Sequence, residues 1–307
     1  MARRRRRGIR IDGWLVIDKP RGMTSTHVVN VVKRLTNARK AGHGGTLDPL
    51  ATGILPVALG EATKTVAYVM DAPKRYRFTM RFGEARDTDD AEGRVVATSE
   101  RRPSDEAILA ALPDFLGTIM QRPPVFAAVK VGGERAYDLA RRGEAVELDP
   151  RPVRIDAFEL VERPSPDTAV FEVVCGRGAY VRALARDLGE TLGCYAHVAE
   201  LRRLAVGPFE LEHAVSLSAL EQIVRDDTLP QVLTPVATAL AGIPALAVTE
   251  PQALRMRSGH AIRISPALLP ETADEGGTVR VMQGGELVAL ARLEGAELSP
   301  LRVFTPR

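Results

Sequence analysis

In this 307-residue chain a carboxylate placed for chemistry stands out in the stretch Gly42-His43-Gly44-Gly45-Thr46-Leu47-Asp48-Pro49-Leu50-Ala51-Thr52-Gly53. Glycines let backbone approach a ligand closely, and a proline after Asp48 restricts the backbone that presents it. A lone aspartate so held could act as nucleophile or base. Spacing alone favours an ordinary turn in which Asp48 caps the next element.

Other chemistries find little support. Two cysteines, Cys175 and Cys194, lie far apart with no CxxC spacing, and the five histidines show no HExxH pattern. No GxxxxGK[ST] loop and no GxGxxG is present. Asp87-Thr88-Asp89-Asp90-Ala91-Glu92-Gly93 hints at calcium, but Ala91 falls on a ligand position and the distal Glu is missing. The expectation is a protein with no metal and no cofactor.

The elements that must position Asp48 follow from periodicity. Residues 14–17 form a short apolar strand ended by Asp18-Lys19-Pro20. Thr24 or Ser25 can cap a helix with Val28, Val32 and Leu35 on one face. Residues 54–59 read as a strand and 62–70 as a helix. Between Arg75 and Phe82, Tyr76, Phe78, Met80 and Phe82 alternate with Arg75, Arg77, Thr79 and Arg81, the period of a half-buried strand. Helices are expected over 104–112, 135–142 and about 180–192, and strands over 153–161, 169–175 and 201–206. The mixture lacks a regular βαβ rhythm, so the fold class expected is α+β with a mixed, mostly antiparallel sheet. Near residue 240 the texture changes to a short helix at 252–256 and strands around 279–282, 287–292 and 301–304. The expected division is a domain over 1–240, with a basic N-terminal tail, and a small β-rich domain over 241–307.

Composition bounds the partners. The chain is 45% hydrophobic and 26% charged, as expected of a globular protein. No apolar run approaches the roughly 20 residues that span a bilayer, and nothing of signal-peptide type follows Met1, so a cytoplasmic protein without membrane contact is expected. Residues 1–40 hold twelve Lys/Arg against two Asp/Glu. Such a block attracts phosphate backbones; Arg3 to Arg7 alone also fit a solvated tail. Lys33, Arg34, Arg39 and Lys40 carry the charge into a folded region and favour a nucleic acid.

The Asp48 loop closely resembles the GHxGxLDPxATG signature of the bacterial TruB family of tRNA pseudouridine-55 synthases. Lys19-Pro20-Arg21-Gly22-Met23-Thr24-Ser25 is similar to that family's KPxGxxS block, and Arg75 to Gly83 with the acidic turn to its second. Cys175-Gly176-Arg177-Gly178-Ala179-Tyr180-Val181-Arg182 resembles CSxGTYIR, and Ala196-His197-Val198 with Leu201-Arg202-Arg203 completes the series. Two departures, Gly44 for the usual Thr or Ala and Gly176 with Ala179 for Ser and Thr, read as small-for-small changes. The tail beyond 240 resembles the family's PUA-like RNA-binding domain loosely.

The resemblance implies isomerisation of uridine 55 in the T-arm of tRNA, with the base flipped out of its stack. By the same likeness Asp48 is the catalytic carboxylate and Arg182 its partner. His43 fills the space left by the flipped base, Tyr76 stacks on the uracil, and Tyr180 and Leu201 complete the pocket; Tyr180 could assist proton removal. Lys19 and Lys64 support the site or touch phosphates. On pattern alone Tyr76 and Leu201 are also core residues, Arg182 a surface helix residue, His43 a loop residue making a local hydrogen bond, and Lys19 and Lys64 plain surface lysines. No obligatory protein partner is expected. Three other readings compete. An RNA-folding protein would not need Asp48 and Arg182 together. A guide-RNA-dependent relative would carry a larger, more basic tail. A glycosidase usually needs two placed carboxylates.

Overall fold

The computed structural model describes residues 8–127, 129–144, 146–270 and 272–305. Arg3 to Arg7 therefore lie outside the described residues.

The large sheet is built from β1 (Gly13–Lys19), β2 (Ala41–His43), β3 (Thr52–Leu59), β4 (Lys74–Phe82), β5 (Gly117–Gln121), β6 (Arg151–Ser165), β7 (Thr168–Cys175), β8 (Ala196–Val206) and β9 (Phe209–Glu210). Its order is β1-β3-β8-β4-β7-β6-β5, with β2 beside β3 and β9 beside β8. Only the β3–β8 contact is parallel within it; the other pairings are antiparallel. The α+β class with a mixed, mostly antiparallel sheet is the one the sequence led us to expect.

Period-two patterning explains how the sheet is covered. Along β1, Leu15 and Ile17 pack on Val28 and Val32 of α1 (Ser25–Thr36), while Trp14 and Val16 pack with Ile54 and Ala58 on the opposite face. In β4, Phe78, Met80 and Phe82 are buried and Arg75, Arg77 and Arg81 exposed, as the alternation requires. Beneath them lies α3 (Val181–Thr191), with Val181, Leu184, Ala185 and Leu188 in the same core.

Some elements differ from expectation. The helix expected over 62–70 is a 3₁₀ turn (Gly60–Thr65) followed by α2 (Val66–Asp71). The Thr63 and Thr65 hydroxyls donate to the Gly60 and Ala62 carbonyls, a local bonding that competes with the α ladder. The strand expected from Leu201 begins at Ala196. Register shifts near Val198/Glu200 and Arg203/Ala205 interrupt its alternation, so only its second half was visible. A helix outside the sequence expectation, α4 (Leu217–Arg225), packs beside α1, and Ser216 caps it by accepting from the Ala219 amide.

A second sheet comprises β10 (Ala245–Ala247), β11 (Ile262–Arg263), β12 (Thr278–Gln283), β13 (Glu286–Glu294) and β14 (Glu297–Val303), in the order β10-β12-β13-β14-β11. It has its own apolar core with α5 (Glu250–Arg257), which Thr249 and Gln252 start with a capping box. Leu240, Leu290 and Phe304 meet Tyr68 at the joint with the large sheet. There Lys64 Nζ donates to the Val303 carbonyl (2.7 Å), and the Thr305 amide to Glu61 Oε2 (3.0 Å). Lys64 thus belongs to the joint and not to the surroundings of Asp48.

Among the described residues no helix is long and apolar enough to cross a membrane. Both cysteines are buried free thiols, and burial pushes Cys175 up to about 12.

Candidate active site

The stretch from β2 to β3 carries Asp48 at its tip. Four side chains from distant parts of the chain clamp it. Ser25 Oγ accepts from the Leu47 amide (2.8 Å) and donates to the Leu47 carbonyl (3.0 Å). Lys19 Nζ donates to the Pro49 carbonyl (3.2 Å), as well as to those of Met23 (2.8 Å) and Pro20 (3.0 Å). Arg203, 1% exposed, donates to the carbonyls of Gly45 (3.1 Å), Thr46 (3.3 Å) and Ile54 (2.8 Å). Arg182 takes the Asp48 carboxylate itself, with its Nη2 2.9 Å from Oδ2. The loop is irregular, so its backbone lacks sheet partners; these donors supply them.

Arg182 sits in the first turn of α3, where the packing of Val181 and Leu184 fixes its direction. Its guanidinium is held further by the carbonyls of Thr88 and Phe126 (3.1 Å each), with Asp90 Oδ2 at 3.7 Å. The acidic turn is self-bonded: Asp90 Oδ1 accepts from Thr88 Oγ1 (2.6 Å) and the Glu92 amide (3.0 Å). Arg186, one helical turn beyond Arg182, holds Asp89 at 2.9 Å. Burial still raises the Asp89 carboxyl to about 6, against the charges of Arg186 and Arg182. The turn is a rack for Arg182; among the described residues no cluster fit to hold a metal ion occurs.

Asp48 and Arg182 differ in access. The aspartate side chain is 37% exposed and the arginine 5%. A rigid buried cation therefore presents an open carboxylate, which suits attack on an incoming ligand.

The remaining expected residues surround this pair unequally. Lys19 is fully buried, and burial pushes its amine down to about 8; the Asp48 and Glu92 charges oppose the shift and Arg203 adds to it. It is a clamp of the loop. His43 lies in β2 rather than in the Gly-rich loop; its Nδ1 is buried and meets no hydrogen-bond partner among the described residues. Burial, then the Arg203 charge, lowers its pKa, so the ring is neutral at pH 7. Tyr76 is half-buried on β4, directly opposite Arg203 of β8, and burial holds its phenol above the usual value. Leu201 is buried across from Phe78. Tyr180 precedes α3; Gln121 brackets its backbone (Tyr180 N to Oε1, 2.8 Å), and its ring packs towards Ala127, Val129, Ala136 and Leu148. The sequence reading gives Arg203, Ser25 and the Asp89–Arg186 pair no role in holding Asp48 or its loop; Ser25 there is only a candidate cap. Thr24, not Ser25, caps α1, accepting from the His27 amide, and frees Ser25 for the loop.

Gly44 corrects one expectation. A Cβ there would lie 2.5 Å from Val69 Cγ1 and 3.3 Å from Trp14 Cζ3. The change from Thr or Ala is therefore not a neutral exchange of small residues: in this chain Val69 and Trp14 occupy the space. Gly44→Ala is expected to cost about 1–3 kcal/mol through overpacking. Adding Val69→Ala should recover most of that loss in a thermal melt. Equal melting of Gly44→Ala and the parent would refute the tight contact.

Comparison with known proteins identifies the family. Residues 33–181 match the N-terminal domain of the TruB family pseudouridylate synthases, and 182–241 the C-terminal domain of tRNA pseudouridylate synthase B. The chain is 57% identical over 307 residues to a tRNA pseudouridine synthase B of Gluconacetobacter diazotrophicus, covering 98% of this chain and 100% of that one. It is 56% identical to a protein of that name from Bradyrhizobium diazoefficiens, with 96% and 86% covered. Among solved structures, a chain of the archaeal box H/ACA sRNP Nop10–Cbf5 complex superposes with a TM-score of 0.75 at 27% identity, over 96% of this chain and 86% of that one. The clamped aspartate loop, the buried arginine behind it and identity over nearly the whole length lead to one conclusion: the chain belongs to the TruB family of pseudouridylate synthases.

Proposed function

We propose that this synthase converts uridine 55 in the T-arm of tRNA to pseudouridine, with Asp48 as the catalytic group. The observation that carries the reading is the Asp48–Arg182 pair at 2.9 Å, with an open carboxylate on a buried guanidinium. The uridine flips out of its stack, at a cost of a few kcal/mol. The bond from ribose C1′ to uracil N1 breaks, the base turns, and C5 bonds to C1′; C5 loses a proton and N1 gains one. Asp48 attacks C1′, takes the C2′ proton, or adds to C6; each route needs an ionised carboxylate.

Around the flipped base, Tyr76 offers a stacking face, a contact of about 1–3 kcal/mol. His43 would fill the vacated stack. Leu201 and Tyr180 would wall the pocket, with Lys19 holding the loop. The chain from 241 onward would serve as a small PUA-like RNA-binding domain beside the catalytic domain of 1–240. We infer a cytoplasmic enzyme that needs no cofactor and no protein partner.

The test is tritium release from a T-arm minihelix labelled at uracil C5, with purified protein and no additive. Release with one equivalent of pseudouridine formed is expected. No release at enzyme concentrations that saturate the RNA would refute the assignment of this substrate.

A further inference from the structure

We propose that the C-terminal end of α1 and the residues after it form a second RNA contact, a basic ridge that holds phosphate backbone away from the reacting uridine. The inference rests on the reading of the chain as an RNA-modifying enzyme.

Helix α1 is the ruler. Its first residue, Ser25, is bonded to Leu47 of the catalytic loop. Its twelve residues end at Thr36, about 17 Å from that start at about 1.5 Å per residue. At the far end stand Lys33 and Arg34 in the last turn, then Arg39 and Lys40 after the left-handed Asn37. Arg34, Arg39 and Lys40 are exposed and Lys33 half-buried.

Two observations set this group apart from a merely solvated face. First, among the described residues none of the four is ion-paired. Several surface arginines elsewhere are neutralised, as in Arg154–Asp156 (2.6 Å), Arg177–Asp71 (2.6 Å) and Arg225–Glu221 (2.7 Å); others, such as Arg75, Arg81 and Arg263, are exposed without an ion pair among the described residues, but these four basic residues all fall between positions 33 and 40. Their charge therefore stands open to an anion. Second, Gly8 and Ile9 are fastened to the same place. Arg39 Nε donates to the Gly8 carbonyl (2.9 Å), the Ile9 amide to Asn37 (2.8 Å) and the Arg39 amide to Ile9 (3.1 Å). Gly8 is thereby anchored on the ridge, and Arg3 to Arg7 directly precede it in sequence. A helix C-terminus attracts one or two cations by itself. It does not account for Arg39 and Lys40 beyond it. Dense, unneutralised positive charge suits an evenly charged polyanion, and the substrate already bound at Asp48 supplies one.

The test uses the full chain and a tRNA transcript, with Kd measured over about 50–300 mM salt. Arg34→Gln/Arg39→Gln/Lys40→Gln is expected to make the slope of log K against log salt shallower by about 2 to 3. The saturated single-turnover rate should stay within about twofold of the parent, because the ridge lies away from Asp48. Lys40→Gln alone, which removes no hydrogen bond of the fold, should lower the slope by about 1. Arg154→Gln/Arg292→Gln, from ion-paired sites, should leave it unchanged. An unchanged slope in both ridge variants, or an equal loss in the control, would overturn the proposal. If the parent itself forms no pseudouridine in the transcript, the underlying reading fails instead.

Discussion

Asp48→Asn is expected to keep its fold and its RNA affinity while pseudouridine formation falls by at least about 10³-fold. Asparagine preserves the shape of the side chain and can still face Arg182, so the loop keeps its other clamps at Leu47, Pro49, Gly45 and Thr46. It cannot attack carbon, take a proton or carry negative charge. Loss of that charge next to a polyanion should leave binding unchanged or slightly tighter. If Asp48 only capped its turn, the loss would be about 0.5–2 kcal/mol of stability with activity remaining. Single-turnover measurement at saturating enzyme, with binding measured apart, separates the two. Appreciable product from a clean Asn preparation rules out the catalytic role.

Arg203→Met should be the most destabilising exchange near the site. Arg203 is fully buried, and among the described residues its charge is met by carbonyls and not by a carboxylate. Methionine fills much of the volume but leaves three acceptors without this donor. Each buried orphan costs about 1–3 kcal/mol, offset in part because a buried cation is also removed. A net loss of about 2–4 kcal/mol, seen as a melting temperature lower by about 5–15 °C, is expected. Turnover should fall as well, since a shift of about 1 Å in the Asp48 loop can cost about 10²-fold. Arg203→Lys retains charge but not the fork and should recover only part of either loss. A methionine variant that melts and turns over like the parent would show that the loop holds itself.

These two residues also mark how far the sequence could be read. Asp48, Arg182 and the alternation of β4 are legible because their signals are local: a Gly-rich loop, a short motif string, a period of two. The clamp is not local. Arg202 and Arg203 are adjacent, similar in chemistry and on one strand. The fold turns Arg202 outward to Asp18 (2.8 Å) and Arg203 inward to the loop. Only strand register decides which, and the bulges of β8 hide it. Ser25 was equally opaque, because a serine beside Thr24 at a helix start reads as a cap whichever of the two does the capping. Lys64 failed for the opposite reason: a lysine in a polar turn gives no hint that a carbonyl some 240 residues later will receive it.

The parallel contact between β3 and β8 joins Thr52 and Gly53 to Arg202 and Arg203. Gly53, at φ 95°, lets the Arg203 backbone come so near that any Cβ would collide with it. During synthesis, β1, α1 and β3 leave the ribosome early and can pair as an N-terminal unit. The Asp48 loop within that unit has neither Arg182 nor Arg203 until about 150 further residues have emerged. A growing chain therefore exposes the aspartate long before it can hold it in a working geometry. Folding in step with synthesis does not complete this stretch, because two neighbouring strands of the sheet are joined across a sequence separation of about 150 residues. Nascent chains that end before β8 should be soft to protease between Gly44 and Ala51, and resistance there should arrive in one step as the strand carrying Arg203 clears the tunnel.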